Sequence, residues 1–128
     1  MLRVTCRMLA VLFAASACAA APPTMQLPFD LPAAIGDAIG ADAARRGGVP
    51  REQLQIVSAR AVTWSDGAMG CPMPGMAYTQ ALVPGWRIEL QAPGQAALLY
   101  HASRRGGWLW CPRERAQPPL PAAADPSI

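Results

Sequence analysis

The chain has 128 residues, 52% of them apolar and 15% charged, with a formal charge of +3. That length holds one small domain and excludes a two-domain architecture. All the cations are arginine, and once Arg3 and Arg7 of the N-terminal segment are set aside, nine arginines face eight acids, a balance of +1 that leaves no electrostatic footprint for nucleic acid.

Residues 1–17 read as an export signal. Arg3 and Arg7 form its positive flank, and the apolar run from Met8 to Ala17 is too short to span a bilayer. The signal ends in "AASAC", Ala14 to Cys18, which resembles a bacterial lipobox with Ala15 where leucine is usual. That resemblance implies that Cys18 is lipidated and becomes the first mature residue. Ala19, where an aspartate is absent, then implies the outer membrane, facing the periplasm. More than one acyl chain on Cys18 would suffice for stable anchoring. Cleavage at Ala17-Cys18-Ala19 by an ordinary signal peptidase is the alternative, and would release a soluble periplasmic or secreted protein. Residues 18–29, small and proline-containing, read as a tether that reaches at most about 40 Å.

The folded unit is expected over residues 30–111. Asp30 suits a helix N-cap and Pro32 its first turn. Leu31, Ile35, Ile39 and Ala43 recur every four residues as one apolar stripe, Arg45 and Arg46 suit the C-terminal end of the helix dipole, and Gly47-Gly48 stops the helix. Strands are expected at Leu54 to Trp64, Ala77 to Val83, Trp86 to Gln91, Ala96 to Ala102 and Trp108 to Cys111. Turns are expected at Pro74-Gly75, Pro84-Gly85 and Pro93-Gly94, because proline presets the first central position of a type II turn and glycine accepts positive φ at the second, and a polar turn at Ser103 to Gly107. The plan is α+β: one N-terminal helix on an antiparallel meander of four to five strands. Residues 112–128, rich in proline and alanine and without periodicity, are expected to be disordered.

If Cys6 leaves with the signal and Cys18 takes lipid, Cys71 and Cys111 remain to pair in an oxidising compartment. A bridge between them would staple the thin core of so short a domain. The segment Gly67 to Met76, "GAMGCPMPGM", admits other chemistry. Met69, Met73 and Met76 beside Cys71 offer the soft sulfur ligands that select Cu(I). Cys71 with His101, the one histidine, has the residue types of a thiol nucleophile and its base. A disulfide would take the only thiolate from the copper set and would remove the nucleophile altogether. No acid pair, phosphate loop or second histidine stands out, so no cofactor is expected and the chain reads as non-enzymatic. Trp64, Asp66, Tyr78 and Trp86 are the candidate binding surface, the aromatics being alternatively core.

The stretch Val62 to Leu90, "VTWSDGAMGCPMPGMAYTQALVPGWRIEL", followed by Tyr100-His101-Ala102, resembles a little-characterised group of small bacterial exported proteins and lipoproteins. Its hallmark is Trp-x-Asp-Gly-x-x-Gly-Cys-Pro-x-Pro-Gly, then Tyr-x-Gln, a Pro-Gly turn and a Tyr-His pair. The group usually carries leucine at the place of Met69 and a polar residue at that of Met73, which implies against copper, and it supplies no catalytic residues. The expected function is a lipid-anchored envelope protein that binds an envelope protein or glycan. A protease inhibitor presenting the loop from Trp64 to Tyr78, and a periplasmic Cu(I) protein, are the alternatives.

Overall fold

The computed structural model describes residues 30–122; the expected signal, Cys18, the tether up to residue 29 and residues 123–128 lie outside the described residues. Helix α1 (Ala33–Gly47) is followed by a short 3-10 turn (Arg51–Gln53) and by strands β1 (Gln55–Trp64), β2 (Val83–Gln91), β3 (Leu98–Ser103) and β4 (Trp108–Trp110). The strands form one antiparallel sheet in the order β1-β2-β3-β4. The α+β plan is therefore the expected one, with four strands.

The apolar stripe of α1 packs on one face of the sheet. Ile35, Ile39 and Ala43 meet Trp86, Ile88 and Leu90 of β2 and Tyr100 and Ala102 of β3, with Trp108 and Trp110 of β4 at the margin. Gly48 ends the helix in the left-handed conformation at φ 63°, and the Val49 N–H returns to the Ala44 carbonyl at 3.2 Å. The start differs from expectation. Pro32 occupies the cap position, its carbonyl accepting the N–H groups of Ile35 and Gly36, and no side chain caps the helix. Asp30 instead accepts the Trp86 indole N–H at 3.1 Å and the Arg104 guanidinium at 2.5 Å. Its carboxylate ties the approach to α1 down onto β2 and the β3–β4 turn.

The expected strand from Ala77 to Val83 is absent except for its last residue. Residues 77–82 pair with no strand and run as loop into β2, both sides of which are taken by β1 and β3. Pro84-Gly85 likewise falls inside β2 and is not a turn. The Pro84 carbonyl faces the β3 side, where it accepts the Arg104 N–H at 3.0 Å just past the end of β3. N–H and C=O of one strand residue point to the same neighbour, so the missing N–H of Pro84 takes nothing from the β1–β2 ladder. Gly85 is required by proximity: a Cβ there would lie 1.8 Å from the Ala102 carbonyl oxygen. The turns at Pro74-Gly75 and Pro93-Gly94 form as expected, with Gly75 at φ 77° and Gly94 at φ 70°.

The second face of the sheet is covered too. The loop between β1 and β2 folds across it, and the chain beyond Cys111 crosses behind that loop as a strap. The Gln117 N–H donates to the Gly70 carbonyl at 2.8 Å and the Leu120 N–H to the Thr63 carbonyl at 2.9 Å, while Ala116 packs on Cys71, Leu99 and Cys111. Residues 112–122 are thus not the disordered tail expected. Their fixed path follows from contacts with distant loop and strand atoms, which local composition does not encode. Among the described residues no helix is long and apolar enough to cross a membrane.

Candidate functional site

The β1–β2 loop, residues 65–82, is built around a bond and a buried ring pair. Cys71 and Cys111 are joined, with Cα atoms 5.8 Å apart. Trp64, at the end of β1, is fully buried; it stacks on His101 with ring centroids 4.2 Å apart and donates its indole N–H to the Ala102 carbonyl at 3.2 Å. His101 is also fully buried, and its Nδ1 lies 2.6 Å from the Met69 carbonyl oxygen. A carbonyl only accepts, so Nδ1 carries the proton and Nε2 is a bare acceptor, buried and without a partner among the described residues. Burial, first, then the nearby Arg87 charge, push the His101 pKa down to about 4 against the opposing effect of the Met69 hydrogen bond. Met69 reaches this geometry at φ 50°, a conformation non-glycine residues seldom take. Gly70 follows at φ 68°, pressed so close to the Trp64 ring that a Cβ would sit 2.6 Å from it.

The rest of the loop closes on itself. The Asp66 carboxylate accepts the Ala68 N–H at 2.9 Å, the Asp66 carbonyl accepts the Met69 N–H, and the Gly67 N–H donates to the Thr79 carbonyl at 2.8 Å. The Tyr78 hydroxyl accepts the Met73 N–H at 2.9 Å. The disulfide and these bonds pin both limbs of the loop.

This geometry redistributes the expected site residues. Trp64 and Trp86 belong to the interior, on opposite faces of the sheet, and are no part of a binding surface. The aromatics a thin core needs are spent inside it, one on each side. Asp66 and Tyr78 are half-buried struts of the loop, committed to its own backbone. The disulfide leaves Cys71 no thiol, so neither a nucleophile nor a copper thiolate stands there. Met69 is half-buried, and among the described residues no cluster of three or more His, Cys, Asp or Glu could hold a metal ion. Glu89 does not face open solvent, as its alternation along β2 suggests; its carboxylate bridges Arg87 at 2.6 Å and Arg113 of the strap at 3.1 Å. Burial alone would raise its pKa, but these two cations outweigh burial and hold it below the usual value.

What the loop offers outward is apolar. Met73, Met76 and Leu82 are 52%, 60% and 61% exposed, so the loop carries three large hydrophobic side chains in water, two around the Pro74-Gly75 turn and one at its base beside β2. Beside it lies a cleft of about 340 Å³ between Leu82, Val83 and the β3–β4 turn, rimmed by Arg104 and Arg105. Leu82 escapes sequence reasoning because it sits in what reads as a strand. Met73 and Met76 are visible in sequence, but as sulfur ligands.

Residues 36–111 match the model of a family described as a domain of unknown function, DUF8738, and the chain belongs to that family. No curated protein and no solved structure matches the chain.

Proposed function

We propose that this member of the DUF8738 family is a non-enzymatic, lipid-anchored protein of the bacterial cell envelope whose loop 72–82 docks onto another envelope protein. The observation that carries the reading is the exposure of Met73, Met76 and Leu82 on a loop closed by the disulfide and by the Tyr78 and Gly67 hydrogen bonds. Several large hydrophobic side chains exposed on one loop are costly in water and mark interaction sites, and a loop closed by covalent and hydrogen bonds loses little entropy on binding. The neighbouring cleft with its two arginines suits an apolar partner side chain flanked by acidic residues. The disulfide is compatible with an extracytoplasmic domain; anchoring through Cys18 to the outer membrane rests on the lipobox resemblance.

A photo-crosslinking residue placed at Met76 in living cells tests the docking surface, with the same residue at Val57, half exposed on β1, as control. The expected outcome is one discrete envelope-protein adduct from position 76 alone, abolished when Leu82→Asp is added. Equal adducts from both positions would sink the proposal, as would survival of the adduct in the Leu82→Asp protein. Intact mass of the exported protein tests the anchor separately, through a diacyl or triacyl increment on Cys18. A set of secreted proteases separates the inhibitor alternative, which needs the same loop to enter an active site.

A further inference from the structure

On the face of the sheet away from α1, Arg60 of β1 and Arg87 of β2 stand directly opposite each other in the strand register. Like charges at directly opposed positions destabilise a strand pair unless something of opposite sign lies between or beside them. Glu89 offsets one of the two. Its Oε1 accepts from Arg87 Nη1 and its Oε2 from Arg113, so each carboxylate oxygen is already engaged with a cation other than Arg60. Among the described residues no carboxylate pairs with Arg60. The strap roofs the pair: Arg60 and Arg87 line one side of a pocket of about 210 Å³, and Ala116, Gln117, Pro118 and Pro119 line the other. A guanidinium has five N–H donors, and Glu89 uses one of Arg87's while holding the group in place. What the sheet and strap build together is a small, half-open pocket with surplus positive charge and guanidinium donors that Glu89 does not use.

We infer that this pocket binds a small oxyanion, a carboxylate or phosphate group, between Arg60 and Arg87. Planar guanidinium forks match both groups bidentately, and the charge-assisted bonds they form are among the strong ones. The site is independent of loop 72–82. Its ligand would be the terminal carboxylate of a peptide or a phosphate-bearing group.

The test is an amide and arginine side-chain NMR titration of the full chain in mild detergent at constant ionic strength. Inorganic phosphate, an acetylated tripeptide with a free C-terminal carboxylate, and its amide are the three probes. Saturable shifts at Arg60 and Gln117 are expected with phosphate or the peptide acid and not with the amide, weakened at least tenfold in Arg60→Gln. Arg60 is exposed, so that variant is expected to keep the spectrum of the parent elsewhere. Saturation by the peptide acid alone identifies a carboxylate ligand, and by phosphate alone a phosphate ligand. Shifts that grow linearly with every anion, chloride included, would overturn the inference, as would equal affinity in the variant.

Discussion

Tyr100 and His101 are consecutive on β3 and therefore face opposite sides of the sheet. The Tyr100 hydroxyl donates to the Asp42 carboxylate of α1 at 2.7 Å, and the His101 ring donates to the Met69 carbonyl of the loop. Two adjacent side chains thus hold the two layers. Burial, and next the bond to Asp42, push the Tyr100 pKa well above its usual value; burial would raise Asp42, but bonds from Arg46 and Tyr100 outweigh it and lower it. His101 makes the fold acid-sensitive. Its folded pKa is about 4, below the ordinary 6.5, so between those values the unfolded chain binds a proton that the folded chain refuses. Stability therefore falls as pH drops from about 6.5 to about 4, by about 3 kcal/mol in total. Urea denaturation at pH 7 and pH 4.5 should show this loss, and His101→Asn, which keeps a donor for Met69 but cannot titrate, should flatten the difference. Gly70 supplies a second check at this scale. Gly70→Ala combines positive φ with a collision on Trp64 and the Gln117 carbonyl, whereas Gly75→Ala meets positive φ in open space. Thermal melts should give a loss of about 1 kcal/mol for Gly75→Ala and at least twice that for Gly70→Ala.

At the scale of elements, β1 is an edge strand of ten residues, the length that invites unwanted pairing. Two devices blunt it. The pairing with β2 slips between Ile56 and Ser58, leaving Val57 as a bulge, and the strap closes the far end at Thr63. Truncation after Pro112 removes the Gln117 and Leu120 hydrogen bonds and the Ala116 packing, and should cost about 2 kcal/mol. Hydrogen exchange should quicken at Leu120's neighbours on β1 and around Gly70, leaving α1 protected. The strap could not be read from its sequence because its partners, Gly70 and Thr63, are some fifty residues away, in chain order, from a segment with no apolar period. Elements with local signals were legible: the α1 stripe, its glycine stop, and the alternation of Trp86, Ile88 and Leu90. Pro84-Gly85 misled because the turn chemistry of the pair is real. Only the position of the missing N–H, beside the end of β3, lets it sit in a strand.

For the whole molecule, a four-stranded sheet with one helix leaves a thin core, and both faces are used to enlarge it. The disulfide, spanning 40 residues in sequence, joins the loop layer to the end of β4. On the chain-entropy account it contributes about 4 kcal/mol, an upper figure. The double variant Cys71→Ser with Cys111→Ser should lower the melting temperature by about 10 to 25 °C; a change below a few degrees would show that packing alone holds the loop. The candidate site was only partly legible. Trp64, Asp66 and Tyr78 lie in or beside the loop that carries the candidate site, but they serve its interior, because a pattern of aromatic, aspartate and glycine reports backbone demands before it reports ligands.

The loop that carries Met73 and Met76 also divides the chain into residues that can change and residues that cannot. Its anchors, Trp64, Gly67, Gly70, Cys71 and Tyr78, are spent on holding shape, while the exposed side chains touch little of the body that holds them. A new partner could then be accommodated by exchanging the exposed residues with the scaffold untouched, much as antibody loops diversify on a constant frame. The same division makes the loop a place to graft foreign peptides: a randomised library at positions 73, 76 and 82 should retain cooperative unfolding in most of its members.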